Sequence, residues 1–137
     1  MNSSNTVRPA KVLVVEDERH IARLMQFVLQ KQGYEVSVAH TGSDALALAL
    51  EQTPDAVLLD LVLPDISGLE VLRQMRANEK LQAIPMALLS ARSFEASETG
   101  ADDAAVSFHC TKPVAPSTLL RKLLDFGVPP TIEVAPN

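Results

Sequence analysis

Ala56-Val57-Leu58-Leu59-Asp60-Leu61-Val62-Leu63-Pro64 is the stretch on which the reading of this chain turns. The four residues before Asp60 are apolar at odd and even positions alike, which predicts a strand buried on both faces, as in a parallel sheet covered by helices. The strand ends at the carboxylate. A loop from Leu61 to Ser67 carries Pro64 and leads into a helix bearing Leu69, Leu72 and Met75.

The same pattern recurs on either side. Upstream, Lys11-Val12-Leu13-Val14-Val15 is a second run of this kind, followed by Ile21, Leu24, Met25, Val28 and Leu29 at helical spacing, with Gly33 as a helix stop. Tyr34, Val36 and Val38 alternate with polar neighbours and predict a less buried strand. A helix follows from about Gly42 to Gln52, with Thr41 as its cap and Pro54 closing the connection. Downstream, Met86-Ala87-Leu88-Leu89 predicts another buried strand. Val106, Phe108 and Cys110 alternate with Ser107 and His109 in a last one, and Leu119, Leu120, Leu123 and Leu124 mark a final helix after Pro116-Ser117.

Five strand–helix units imply an α/β fold, a doubly wound five-stranded parallel sheet. Strands one, three and four read as central, two and five as edges. That gives the order 2-1-3-4-5 of flavodoxin-like folds, whose ligands bind at the carboxyl ends of the strands beside the switch point between strands one and three. Residues 1–9 and 127–137 read as flexible ends, the second rich in proline (Pro129, Pro130, Pro136) and either a tail or a linker stub, so the domain runs from 10 to 126.

Composition narrows the function. In 137 residues, 47% are hydrophobic and 21% charged, which suits a globular domain with one core. The net charge of −5 and scattered Lys and Arg argue against nucleic-acid binding. No apolar run has the length of a membrane span and the first eight residues lack a signal-peptide stretch, so a cytoplasmic location is expected. The single cysteine, Cys110, excludes an internal disulfide and fits a reducing compartment.

The predicted sheet brings Glu16 and Asp17, after strand one, next to Asp60, at the end of strand three. Acidic residues at strand ends are often merely solvated. Three carboxylates across a switch point repel one another unless a cation intervenes, and a hard divalent ion such as Mg²⁺ suits oxygen ligands of this kind. Ser90 ends strand four and Lys112-Pro113 follows strand five on the same edge. They supply a hydroxyl and an ammonium for an anion formed between them.

Taken in order, Val14-Val15-Glu16-Asp17-Glu18, Leu58 to Gly68, Ile84-Pro85, Leu88-Leu89-Ser90-Ala91 and Lys112-Pro113 resemble the signature segments of response-regulator receiver domains of two-component systems, over roughly Lys11 to Phe126. The resemblance implies the (βα)5 receiver fold and a phosphorelay role. Asp60 matches the phosphoacceptor. Asp17, Asp60 and the backbone carbonyl of Val62 match Mg²⁺ ligands, with Glu16 as the second acid reaching the metal through water. Ser90 and Lys112 match the residues that contact the phosphoryl group. The implied partners are a histidine kinase or histidine phosphotransfer protein and a downstream protein target, with the chain acting as a switch rather than a turnover enzyme.

The sequence departs from the family at three places. His109 stands at the position of the usual switch aromatic and reads as a partly exposed edge-strand residue, since His20 and His40 offer no zinc spacing with it. Val114 replaces a common aromatic. Ser93 to Ala105, where the fourth helix belongs, has almost no apolar stripe, which predicts a poorly anchored helix and favours a monomer, at most a weak dimer. Two other classes compete. A pseudo-receiver that only binds partners would have a degraded acidic pocket, and a haloacid-dehalogenase-like phosphatase needs a D-x-D motif that Glu16-Asp17-Glu18 lacks.

Overall fold

The computed structural model describes residues 6–90, 108–112 and 114–134. In chain order the elements are β1 (Thr6–Pro9), β2 (Lys11–Val15), α1 (Arg19–Lys31), β3 (Glu35–Ala39), α2 (Gly42–Gln52), β4 (Ala56–Asp60), α3 (Gly68–Arg76), β5 (Met86–Ser90), β6 (Phe108–Thr111), α4 (Pro116–Asp125) and β7 (Thr131–Val134). Five of the strands form the parallel sheet, in the order β3-β2-β4-β5-β6. This is the predicted 2-1-3-4-5 arrangement, offset by the extra strand at the start.

Side chains alternate across β4 and so divide the core in two. Val57 and Leu59 join Leu13, Val15, Met86 and Leu88 against α2 and α3, where Ala45, Ala49, Val71, Leu72 and Met75 are buried. Ala56 and Leu58 face the other way, with Val12, Val14, Ala87, Leu89 and Cys110, against Met25 and Leu29 of α1 and Leu119 and Leu123 of α4. Every residue of β4 and β5 is buried. Continuous apolar runs give central strands because both faces are covered.

Local signals set the helix ends. The Thr41 side chain accepts from the Asp44 N–H, opening α2, and the Ser67 side chain accepts from the Glu70 N–H, opening α3. Gln32 caps α1 and Gly33 follows at φ 105°, the stop expected of it. Tyr34 was expected in the second strand. It lies just ahead of β3, buried, and its hydroxyl donates to the Val128 carbonyl at 2.7 Å.

Two expectations need correction. The buried face of α1 is Ala22, Met25 and Leu29, whereas Ile21 and Leu24 are exposed (37% and 60%). The stretches expected as tails are also partly ordered: Thr6–Pro9 pairs antiparallel with Thr131–Val134, Thr6 opposite Val134 and Pro9 opposite Thr131. Such a ribbon needs no core of its own, because pairing satisfies its backbone groups, and proline is tolerated in edge strands. It is tied to the sheet by the Ala10 N–H donating to the Pro130 carbonyl at 2.8 Å and by buried Val128.

Asp55 fastens this clasp. Its carboxylate accepts from Arg8 at 2.8 and 2.9 Å and from the Lys11 N–H at 2.7 Å. Burial alone would raise its pKa, but the Arg8 bonds and the Lys11 N–H outweigh burial and hold it below the ordinary aspartate value. A lowered pKa contributes stability above the unfolded-state value that is lost as pH falls through the folded one. Asp55→Ala should therefore cost about 1–2 kcal/mol at pH 7, allowing for partly exposed Arg8. In urea titrations the gap from wild type should close in acid below pH 4; a pH-independent gap would count against this account.

The predicted region Ser93–Ala105, with Gly100, lies outside the described residues, as do Val106, Ser107 and Pro113. The backbone of β6 sets His109 opposite Leu88, while its side chain falls outside the description. Among the described residues, no helix is long and apolar enough to cross a membrane.

Candidate functional site

The site lies where β2, β4, β5 and β6 release their carboxyl ends. Glu16 and Asp17 leave β2, Asp60 ends β4, Ser90 ends β5 and Lys112 follows β6. Parallel pairing fixes their mutual heights, with Val15 opposite Leu59, Asp60 opposite Leu89 and Ser90 opposite Thr111. One carboxylate oxygen each from Glu16, Asp17 and Asp60 lie within 4.8 Å of one another. Glu16, Asp60 and Ser90 are buried and Asp17 is exposed.

Lys112 closes the group from above. Its ammonium donates to Asp60 Oδ2 at 2.9 Å and to Glu16 Oε1, forming ion pairs with both. The Lys112 N–H donates to the Ser90 carbonyl at 2.6 Å, which ties the lysine's backbone to the end of β5. The Val62 N–H donates to Asp60 Oδ1 at 3.1 Å. Val114, standing where an aromatic is common, packs partly buried against the α1–α4 side of the core.

The charges are held against their preference. The Glu16 carboxyl is pushed up to about 7, first by burial and then by its hydrogen bond with Asp60, while Lys112 and the Glu18 N–H pull it back. Burial works against the Lys112 ammonium, but Glu16 and Asp60 overcome it and raise its pKa. One ammonium therefore serves two buried acids, with a third carboxylate at the rim. Oxygen donors at this spacing suit Mg²⁺, since a small inward shift brings them to the ~3–4 Å separations of oxygens around one octahedral ion.

Lys112→Ala should expose this imbalance. With no ammonium, Glu16 and Asp60 face each other in a buried setting, at a cost of about 2–3 kcal/mol in metal-free buffer at pH 8. The raised Glu16 pKa gives the sign: protonation relieves the repulsion, so the deficit should shrink as pH falls below about 7. Thermal melts at pH 8 and pH 6 check this, and a larger deficit at pH 6 would contradict it.

Beside the carboxylates is a cavity of about 600 Å³ lined also by Glu18, Ile21, Leu24, Met25, Val62, Leu89 and Val114. Its apolar wall comes from α1 side chains that the sequence reading placed in the core. No spacing signal separates the two faces: Ile21 and Leu24 share the helical period of Met25 and Val28, and it is packing that makes Ala22, Met25 and Leu29 the buried stripe. His20 is exposed, and the His40 ring meets the Glu16 backbone carbonyl.

A doubly wound parallel sheet with an acidic cluster and a lysine at the switch point defines a class of phosphate-handling signalling domain. The family model for the response regulator receiver domain matches residues 12–124. Three solved structures agree with it. The chemotaxis protein CheY4 of Vibrio cholerae is 29% identical with a TM-score of 0.81, covering 86% of this chain and 98% of its own. A response regulator of Chloroflexus aurantiacus is 27% identical with a TM-score of 0.79, at 86% and 97%. A receiver domain of Methylobacillus flagellatus is 28% identical with a TM-score of 0.74, at 86% and 98%. The chain belongs to the response-regulator receiver family. Receiver domains are phosphoacceptor switches that bind Mg²⁺ at an acidic cluster and interact with histidine kinases and downstream targets.

Proposed function

We propose that Asp60 accepts the phosphoryl group, from the phosphohistidine of a kinase or phosphotransfer protein or from a small phosphodonor, and that the modified pocket switches binding of a protein target. The observation that carries this reading is the double contact of Lys112 with Asp60 and Glu16 above three converging carboxylates. An Asp60 carboxylate oxygen attacks phosphorus, the bond from phosphorus to the donor breaks, and its electron pair leaves with the donor. A carboxylate is a competent acceptor, and such transfer is mostly positioning and charge neutralisation.

Asp17 and Asp60, with the Val62 carbonyl, are the direct ligands we assign to Mg²⁺, and Glu16 reaches it through water. When bound, the ion neutralises charge on the transferred group. In this reading Lys112 leaves Glu16 to meet a phosphoryl oxygen, and Ser90 at the end of β5 approaches another. The exposed apolar residues Ile21, Leu24 and Val62 (37%, 60% and 72% exposed) border the cavity mouth, and we assign them to docking of the phosphodonor protein. The reading places the protein in the cytoplasm as a monomer.

Incubation with acetyl phosphate and Mg²⁺, followed by mass-spectrometric mapping, tests this directly. A single phosphoryl group on Asp60 is the expected product. Modification at another residue, or none, overturns the proposal.

A further inference from the structure

The turn after β3 and the first residues of α2, His40 to Ser43, touch both loops that build the site, and none of them belongs to the acidic cluster. His40 Nδ1 lies 2.9 Å from the Glu16 carbonyl oxygen. A carbonyl only accepts, so Nδ1 carries the proton and donates. The Glu16 N–H in turn donates to the Ala39 carbonyl at 3.0 Å. Both backbone groups of Glu16 are thus held by consecutive residues at the end of β3, which fixes the turn from which Glu16 and Asp17 project.

The other half of the contact concerns the loop after Asp60. Asp65 accepts from the Gly42 N–H at 2.8 Å, the Ser43 N–H at 2.9 Å and the Ser43 hydroxyl at 2.8 Å. Those N–H groups open α2, where unpaired donors and the helix dipole favour an anion, and here the anion is a side chain of the protein. The bonds hold the Asp65 carboxyl well below the usual range although it is exposed to solvent. Ile66 leans on the same spot. A Cβ on Gly42 would come within 2.4 Å of Ile66 Cγ1, so the close approach depends on glycine.

We propose that His40 and Asp65 are positioning residues that clamp the Glu16–Asp17 turn and the Asp60–Ser67 loop to one rigid helix start, setting the spacing of the oxygens offered to the metal. The clamp rests on the function proposed above for these carboxylates. Partners that orient ligands from behind typically change metal affinity by one to two orders of magnitude.

The test is the Mg²⁺ dissociation constant of the unphosphorylated protein, by titration calorimetry, with melting temperatures measured in parallel. His40→Ala and Asp65→Ala should each weaken Mg²⁺ binding by about tenfold. His40→Asn, which keeps an N–H donor near the Nδ1 position, should recover most of that loss. Should Asp65→Ala fail to fold, Asp65→Asn, which keeps one accepting oxygen, carries the comparison with an intermediate loss expected. Mg²⁺ affinities within twofold of wild type, even with lowered melting temperatures, would overturn the clamp and leave both residues as ordinary stabilisers. The titration decides this whether or not Asp60 takes a phosphoryl group, so a failure of labelling in the wild type would count against the proposed function alone.

Discussion

Asp60→Asn should take up no phosphoryl group from acetyl phosphate, even though it folds at least as well as the wild type. The amide lacks the anionic oxygen that attacks phosphorus, and no neighbouring acid has the same placement: Glu16 is buried beneath Lys112 and Asp17 stands at the exposed rim. The fall in labelling should reach the detection limit, on the order of 10³-fold or more, since the covalent acceptor itself is removed. Chelation with EDTA should suppress wild-type labelling to a similar degree, by leaving the approaching phosphoryl group to face uncompensated carboxylates. Stability should move the other way. Asp60 is among the groups that push the Glu16 pKa up, so replacing its charge relieves repulsion, and the melting temperature should hold or rise in metal-free buffer. Full-rate labelling of Asp60→Asn, or wild-type labelling indifferent to EDTA, would remove Asp60 from the role.

Gly68→Ala should be the most damaging small substitution outside the acidic cluster. A Cβ at Gly68 would sit 2.2 Å from the carbonyl oxygen of Asp60 and 2.9 Å from Leu61 Cα. Both are backbone atoms at the end of a fully buried strand, so neither can turn aside as a flexible side chain would. The loop must lift away from α3, and the Gly68 N–H bond to the Leu61 carbonyl, 2.9 Å long, goes with it. Forced displacement of this kind lies at the severe end of single substitutions, about 3 kcal/mol or more. Gly127→Ala is the control: its Cβ would meet nothing within 4 Å, and only the φ of 78° opposes it, at about 1 kcal/mol. Urea denaturation of both variants gives the comparison. A Gly68→Ala loss no greater than that of Gly127→Ala would show that the loop gives way more easily than its packing implies. The surviving fraction should also label slowly, because the clash displaces the backbone of Asp60 itself.

Much of this architecture was legible because burial on two faces writes itself into sequence. Ala56–Leu59 and Met86–Leu89 have no polar position to spare, and that alone marks central strands; the switch point and the meeting of Glu16 with Asp60 follow from strand order. The α2 boundaries were equally legible, since Thr41 is a capping residue placed directly before an apolar pattern. The face of α1 was not, because Ile21 and Leu24 share a helical spacing with Met25 and Val28. Only packing reveals that small Ala22 lies on the buried side. The clasp between Thr6–Pro9 and Thr131–Val134 escaped for another reason: four-residue strands with mostly exposed side chains carry no period, and their partners are at opposite ends of the chain. The contacts of His40 and Asp65 have no period either, being single side chains that bond to backbone.

That clasp has a consequence for the order in which the chain assembles. Thr6 can meet Val134 only by closing a loop that contains nearly every other residue of the protein, and the entropy lost in closure grows with the length enclosed. Neighbouring strand–helix units face far shorter closures and can dock first. Once they have, the ends are already delivered to the pole of the sheet opposite Asp60, where β2 begins. The ribbon should therefore form late, zipping onto a finished sheet, and opening it at one pole should leave the carboxylates at the other in register.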